Sequence, residues 1–232
     1  MLYRFIKRAF DCFNSLLALV VLSPLFLMIC IGIKLSSKGP VFYQSKRVGR
    51  NGKMITVHKF RSMHVRQAGA VESKYLVNNQ RIFPLGKFLR KSKLDELPQL
   101  LDILVGSMSV VGPRPYPQSF VGKHYVGQYS GILSVRPGLA CFDSLYDYAH
   151  GDLFVTDEKE YAEKVLPVRT ELAKMYVEEQ SIAVDLYCIL RTLLLIFQII
   201  VLRKHEFPLT DREKTAVNRV KEATESIGER QH

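Results

Sequence analysis

The longest uncharged segment of the chain, residues 13–33, contains no aspartate, glutamate, lysine or arginine. Its length is enough for a helix that crosses a bilayer. Pro24 interrupts its middle and removes a backbone hydrogen bond, and Ser23 can satisfy the carbonyl group that this break frees. Cations flank both ends, so the positive-inside rule does not favour a single crossing. The pattern leaves a kinked span and a re-entrant hairpin equally open; the flanking cations are Arg4, Lys7, Arg8, Lys34 and Lys38.

Two β-prone runs follow, at residues 41–48 and 54–59, and they flank a turn that contains Asn51-Gly52. Asn-Gly between such runs is a strong hairpin signal, so we expect an antiparallel pair of strands here. If the second strand continues, Lys59 and Arg61 lie on one face, because side chains alternate along a strand. Two exposed strand charges are the alternative interpretation.

The composition of the second half of the chain changes from mixed to strongly apolar and then to charged. Residues 158–179 have a helical composition, and their apolar stripe is typical of a core face; it consists of Tyr161, Val165, Leu172 and Tyr176. Residues 185–202 are strongly apolar, are broken by Arg191, and fit an interfacial helix. Residues 203–232 are charged and poor in apolar side chains, which favours partial disorder with a short amphipathic stretch after Pro208. Residues 64–80 show no period and predict a variable connection.

The predicted fold class is therefore α+β and mainly helical, with a small β-hairpin. Three regions follow from the pattern: a membrane segment at 1–38, a central domain at 39–202 and a charged C-terminal tail at 203–232. The kink of the membrane segment is expected at Ser23 and Pro24.

Composition narrows the partners that the chain can have. Its 232 residues carry a formal net charge of +11, with a pI near 9.5 and a mean hydropathy of +0.03. A basic and apolar chain suits an anionic membrane surface as readily as nucleic acid. The aromatic residues are not interleaved with lysine and arginine as in RNA-binding modules, so we expect no nucleic-acid partner. Four cysteines without Cys-x-x-Cys spacing favour reduced thiols over a zinc site.

An acidic pair, Asp95-Glu96, lies among cations and directly before an apolar run at residues 100–105. Pro98 fits only a helix's first turn, so both acids are expected there or at its cap, with Gly106 ending the helix. A helix N-terminus stabilises anions, so both carboxylates should stay ionised and phosphate should bind nearby. Carboxylates and phosphate together call for Mg2+. Ordinary helix capping is the alternative interpretation.

A second polar motif follows at residues 108–115, where Pro113 and Pro115 fix the backbone on both sides of Arg114. A guanidinium on so stiff a loop is typical of a phosphate clamp.

With this second motif the sequence resembles a known family. Lys-Leu-Asp-Glu-Leu-Pro-Gln at 93–99, followed by Met-Ser-Val-Val-Gly-Pro-Arg-Pro at 108–115, is similar to the bacterial sugar transferases, the monotopic phosphoglycosyl transferases that begin lipid-linked glycan assembly. The resemblance includes Ser23-Pro24, the stretch at 59–63 and residues 176–186, and it reaches about Phe197.

The resemblance implies a fold and a location. The membrane segment would be re-entrant with both ends cytoplasmic, and interfacial helices would surround an active site on the cytoplasmic face of the bacterial inner membrane. Residues 39–202 would form the catalytic domain.

The resemblance also implies a reaction. A sugar-1-phosphate would pass from a UDP-sugar to polyprenol (undecaprenyl) phosphate through a covalent intermediate on Asp95, with release of UMP. Glu96, with Asp95, would hold Mg2+. The implied substrate-binding residues are Lys59, Arg61, Arg90, Pro113, Arg114, Pro115 and Arg136.

Two departures from the family pattern bear on specificity. Asn78-Asn79-Gln80 stands where the family shows an aspartate before Arg81, and the continuation of the Pro-Gly loop at 135–140 is unusual. Which sugar is carried, and whether the chain forms a homodimer, is left open. A membrane-anchored basic binding or scaffold protein without catalysis is the alternative from another class.

Overall fold

The structure is a computed structural model that describes residues 2–65, 81–151, 157–204 and 206–229. Most of the predicted variable connection, including Asn78-Asn79-Gln80, lies outside the described residues. The chain is mainly helical, with two small two-stranded sheets, so the predicted class is confirmed in its coarse form.

The N-terminal apolar segment forms two helices, α1 (Leu2–Val21) and α2 (Ser23–Ser36), which meet at an angle of 63°. Pro24 lies in the first turn of α2 and has no N–H to donate to the carbonyl of Val20, four residues before it. The Ser23 hydroxyl donates to the carbonyl oxygen of Val20 at 2.8 Å. The break therefore occurs at the expected residues, and the serine has the expected role.

The predicted hairpin is confirmed: β1 (Phe42–Val48) and β2 (Met54–Phe60) pair antiparallel. Asn51, with a φ of 55°, helps to reverse the chain in the turn. The expectation that Arg61 shares a face with Lys59 depended on the second strand continuing. The strand ends before Arg61, and its buried guanidinium donates to the carbonyl oxygens of Ser37 (2.6 Å) and Lys38 (2.7 Å). It is attracted there because the last carbonyls of α2 are left without helical partners.

Next come α3 (Pro84–Lys91), a 3-10 turn (Leu94–Glu96) and α4 (Gln99–Val105). The acidic pair was expected in the first turn of α4 or at its cap, but it lies in the separate 3-10 turn, and Pro98 occupies the N-cap position. Gly106 ends α4 as predicted, with a φ of 93°. Arg8 of α1 reaches this end and donates to the carbonyl oxygens of Ile103 and Leu104, at 2.6 and 2.7 Å.

A parallel strand pair that the sequence did not predict joins the centre of the domain. Strands β3 (Ser109–Val111) and β4 (Gly138–Ala140) are separated by α5 (Gln118–His124) and a 3-10 segment (Gly127–Ser134). A Cβ atom at Gly112 would lie 2.3 Å from the carbonyl oxygen of Arg136, so this approach requires glycine.

The remaining helices are α6 (Phe142–His150), α7 (Glu158–Glu160), a π-helical turn (Tyr161–Val165), α8 (Leu166–Glu179), α9 (Ile182–Ile200) and α10 (Asp211–Glu229). A hydrophobic core forms among α6, α8, α9 and the second sheet, and it contains the whole predicted stripe of Tyr161, Val165, Leu172 and Tyr176.

Within the described ranges, α9 is the one helix long and apolar enough to cross a membrane, while α1 and α2 meet that criterion only as a bent pair. Much of the apolar surface of α9 is exposed, including Leu190 at 65% and Leu193 at 60%.

The prediction of a partly disordered tail was wrong, because α10 packs against the core. Ala216 is fully buried, and Arg219 forms an ion pair with Glu171 of α8 at 3.1 Å. The helix begins with a capping box: the Thr210 N–H donates to Glu213, and the Glu213 N–H donates to the Thr210 hydroxyl. The signal Thr-x-x-Glu was present in the sequence.

Candidate active site

Asp95 and Glu96 are both buried, with 7% of each residue exposed. One oxygen of Glu96, Oε1, accepts hydrogen bonds from Lys59 Nζ at 2.6 Å and from Arg114 Nη2 at 2.8 Å. Lys59 comes from β2 and Arg114 from the loop after β3, so three separate elements meet at this carboxylate. The structure thus brings four of the sequence-predicted residues together.

The loop that carries Arg114 is fixed by its backbone. The Arg114 N–H donates to Asp143 at 3.3 Å, and the N–H of Gly138 donates to the Pro113 carbonyl at 3.0 Å. Pro115 lies on the other side of the arginine and limits its backbone further. The guanidinium is therefore held beside Glu96.

The surroundings of the two acids shift their pKa values in opposite directions. Burial opposes the charge of Glu96, but the cations of Arg114 and Lys59 overcome this and keep its pKa well below the usual range. Burial also raises the pKa of Asp95, and the charge of Glu96 adds to this, against the opposing effect of Lys59. Both carboxylates were expected to stay ionised. The surroundings stabilise the ionised form of Glu96 and oppose that of Asp95.

Asp95 is also incompletely bonded. Its Oδ1 atom is buried and accepts no hydrogen bond within the described part of the chain. A buried carboxylate oxygen without a donor is energetically unfavourable, and it is free to contact a ligand. Glu96 uses only Oε1 in its described contacts. Carboxylate oxygens of both acids thus have no partner in the described contacts, which suits Mg2+, an ion that often takes one or two carboxylates plus water and substrate phosphate.

Two further cations lie near the acidic pair, Arg90 and Lys93. The side chain of Arg90 on α3 is half-buried, and its guanidinium has no hydrogen-bond or ion-pair partner among the described residues. Together with Lys93, it acts on Asp95 through its charge. The Lys93 ammonium lies 4.7 Å from the centre of the Tyr148 ring.

Two predicted substrate-binding residues are not with the pair. Arg61 contacts the end of α2, as described above. Arg136 donates from Nε to the carbonyl oxygen of Gly106 at 2.8 Å, at the C-terminal end of α4. The acidic pair precedes the N-terminal end of that helix, whose length of seven residues separates the two by about 10 Å.

Sequence reasoning missed a buried ionic cluster beneath Arg114. Arg169 of α8 lies 3.1 Å from Asp147 and 3.8 Å from Asp143, and both acids project from α6. Asp143 links this cluster to the Arg114 backbone. Two acids four residues apart on an otherwise apolar helix were the signal available in the sequence.

A second missed pair involves Asp102 of α4. Its carboxylate accepts hydrogen bonds from the backbone N–H of His58 at 2.9 Å and lies 2.6 Å from the Nδ1 atom of the same residue. Asp102 thereby ties α4 to β2, the strand that supplies Lys59.

Comparison with known proteins identifies a family and several relatives of this chain. The bacterial sugar transferase family model matches residues 2–199. The chain is 36% identical to UDP-glucose:undecaprenyl-phosphate glucose-1-phosphate transferase of Escherichia coli (strain K12) over 192 residues, which are 82% of this chain and 39% of that protein.

Two further relatives carry other names. The chain is 32% identical to UDP-N-acetylgalactosamine-undecaprenyl-phosphate N-acetylgalactosaminephosphotransferase of Aeromonas hydrophila, over 83% of this chain and 44% of that protein. It is 43% identical to the exopolysaccharide production protein PSS of Rhizobium leguminosarum bv. phaseoli, over 58% of this chain and 70% of that protein. The chain thus spans about two fifths of the length of several curated relatives that it matches.

The family match covers every element from α1 to most of α9, including the acidic pair and both residues that hold Glu96. The chain therefore belongs to the bacterial sugar transferase family.

Proposed function

We propose that the chain transfers a sugar-1-phosphate from a UDP-sugar to polyprenol phosphate, as the first membrane step in assembly of a glycan. The observation that carries the proposal is the contrast within the acidic pair: Glu96 is held by Lys59 and Arg114, while Asp95 has an unbonded, buried oxygen. The relatives' names support the two substrates, since they specify UDP-sugars and undecaprenyl phosphate.

The proposed reaction has two steps. In the first, an Asp95 carboxylate oxygen bonds to the sugar-bearing phosphorus, the P–O bond to the uridine-bearing phosphate breaks, and UMP leaves with the electron pair. In the second, a phosphate oxygen of polyprenol phosphate attacks the same phosphorus, and the P–O bond to Asp95 breaks. The two steps divide one difficult transfer into two easier ones.

The raised pKa of Asp95 supports its role as nucleophile. A carboxylate that is poorly stabilised as an anion gains by sharing its charge with phosphorus, whereas Glu96, already neutralised by two cations, does not. Arg114, Lys59 and Arg90 are the cations that would offset the charge of the substrate diphosphate. Asp95 and Glu96 would hold Mg2+, whose charge assists this neutralisation when the ion is bound.

We also propose that the protein is monotopic, on the cytoplasmic face of the inner membrane. The bend between α1 and α2, the cations at both ends of the pair and the exposed apolar surface of α9 support this placement. A re-entrant pair would leave Arg4 and Lys38 on the same side of the bilayer.

The deciding experiment for the reaction is trapping of the intermediate. Protein in detergent with Mg2+ is incubated with UDP-sugars labelled in the sugar, without acceptor, and the label that stays on denatured protein is measured. We expect labelling together with release of UMP, and loss of both in Asp95→Asn. Asp211→Asn, a fully exposed acid on α10, is the control that should keep both. Normal turnover by Asp95→Asn would refute the proposal.

Membrane placement is tested separately. In a cysteine-free background, single cysteines at Arg4 and at Lys38 are treated with a membrane-impermeant maleimide in spheroplasts and in lysed cells. We expect both positions to be protected in spheroplasts and labelled after lysis. Labelling of one position from outside would mean that the bent pair crosses the membrane.

A further inference from the structure

A second cleft lies between the polar face of α1 and the domain, away from the acidic pair. It has an empty volume of about 440 Å³ that opens to solvent. Five cations line it, from α1, from the hairpin turn and from the loop before β4: Arg4, Lys7, Arg8, Arg50 and Arg136.

Some of these cations are already engaged. Lys7 forms an ion pair with Asp185 of α9 at 2.6 Å. Arg8 uses both of its terminal nitrogens on the carbonyl oxygens at the end of α4. These two residues attach α1 to the domain and shape the walls of the cleft.

The other three cations have donors to spare. Arg50 and Arg136 each use Nε alone, on the carbonyl oxygens of Ser134 and Gly106, at 3.0 and 2.8 Å. Neither terminal nitrogen of either guanidinium has a hydrogen-bond partner among the residues that the structure describes. The side chain of Arg4 also has no hydrogen-bond partner among those residues.

The cleft has little negative charge to balance these groups. Among the described residues Asp11 is the one acid that lines it, and its two oxygens accept hydrogen bonds from the hydroxyl of Ser109 (2.8 Å) and the N–H of Val110 (3.0 Å). Burial lowers the pKa of Arg136, and repulsion from Arg8 and Arg50 lowers it further. The guanidinium groups are thus close enough to repel one another, and a bound anion would relieve that repulsion.

We infer that this cleft binds a phosphate-bearing anion, either free in solution or as the headgroup of an anionic phospholipid. Guanidinium groups match phosphate oxygens in a forked geometry, and two with free forks face one cleft here. A phosphate there would also join α1 to the hairpin turn and so tie the apolar helix pair to the domain. The cleft lies at the opposite end of α4 from Asp95 and Glu96, so this binding does not depend on the proposed reaction.

Binding of free phosphate is tested with the full chain in zwitterionic detergent. Thermal unfolding is followed while sodium phosphate replaces sodium chloride at constant ionic strength. Arg50→Gln is the informative variant, because glutamine keeps a donor for Ser134 but loses the charged fork. Lys53→Gln is its matched control: an exposed cation three residues away, outside the cleft. We expect phosphate to raise the melting temperature and its apparent Kd to weaken about 10-fold in Arg50→Gln alone.

The lipid source is tested in nanodiscs of phosphatidylcholine with or without phosphatidylglycerol. A headgroup in the cleft predicts that phosphatidylglycerol stabilises the parent protein and Lys53→Gln, and that Arg50→Gln loses most of this gain. Attraction of the whole basic surface to the membrane would instead weaken equally in both variants.

Each outcome of these two assays either supports the inference or overturns it. A loss specific to Arg50→Gln in one of the two assays supports the inference and identifies the source of the phosphate. Equal behaviour of Arg50→Gln and Lys53→Gln in both assays, or no response to either ligand, would overturn it. Arg4→Gln provides a second variant from α1 with the same expectation.

Discussion

Neutralising the two adjacent acids of the active site should change stability in opposite directions. Asp95→Asn and Glu96→Gln are isosteric, remove one charge each and alter neighbouring positions in the same 3-10 turn. Their surroundings differ, however, because two cations contact Glu96 and none of the described hydrogen bonds reaches Oδ1 of Asp95.

The cost of Glu96→Gln follows from the partners that it leaves behind. Breaking a buried ion pair by removing one member typically costs about 3–5 kcal/mol. The side chains of Lys59 and Arg114 are each 24% exposed, so water compensates for part of the loss. With that screening we expect the free energy of unfolding to fall by about 2–4 kcal/mol. For a domain of this size the melting temperature should fall by roughly 5–15 °C.

Asp95→Asn removes a charge that the fold does not stabilise. Because burial raises the pKa of Asp95, the neutral amide avoids the cost of an ionised group in that position. We expect a free energy of unfolding that is unchanged or higher by up to about 1 kcal/mol. Turnover should nevertheless fall by about 10³-fold or more, since the nucleophile is lost.

The pH dependence of the two effects has opposite signs. Asp95 has a folded-state pKa above its unfolded value of about 3.9, so its ionisation destabilises the fold as the pH rises through the folded value. The advantage of Asp95→Asn should therefore be present at neutral pH and vanish in acid. The folded-state pKa of Glu96 lies below its unfolded value of about 4.3. Its contribution to stability is therefore fully present above the unfolded pKa and is lost as the pH falls through the lower, folded-state pKa.

The assay is thermal unfolding of the parent protein and both variants in the same detergent, at neutral and at acidic pH, combined with UMP release. A melting temperature of Asp95→Asn that falls as far as that of Glu96→Gln would refute the reasoning. So would a Glu96→Gln variant as stable as the parent protein.

Further predictions concern the fold. Thr210→Ala should cost about 1 kcal/mol of stability by removing the cap of α10, whereas Thr224→Ala, exposed on the same helix, should stay within about 0.5 kcal/mol in denaturant unfolding. Arg169→Met should lower the free energy of unfolding by about 3–5 kcal/mol, because it leaves Asp143 and Asp147 buried without their cation. A melting temperature equal to that of the parent protein would exclude this stabilising role of Arg169.

Features with local causes could be predicted from the order of neighbouring residues alone. The bend at Ser23 and Pro24 follows from a missing N–H within one turn, and the hairpin follows from Asn51 in a conformation that asparagine tolerates. The end of α4 also has a local cause, the positive φ of Gly106. The capping box of α10 was equally local, but the charged composition of the tail obscured it.

Which charges meet depends instead on how distant parts of the chain pack. Lys59 and Arg114 lie 37 and 18 residues from Glu96 in sequence, and packing of separate elements brings both to one oxygen atom. Arg61 and Arg136 resembled Lys59 and Arg114 in composition and context, yet both bind carbonyl groups at helix ends. Asp95 and Glu96 are equally buried, so the difference between them arises from the direction of the neighbouring cationic side chains. Sequence patterns record the preferences of a few adjacent residues, whereas desolvation and ion pairing depend on distances that only the packed chain fixes.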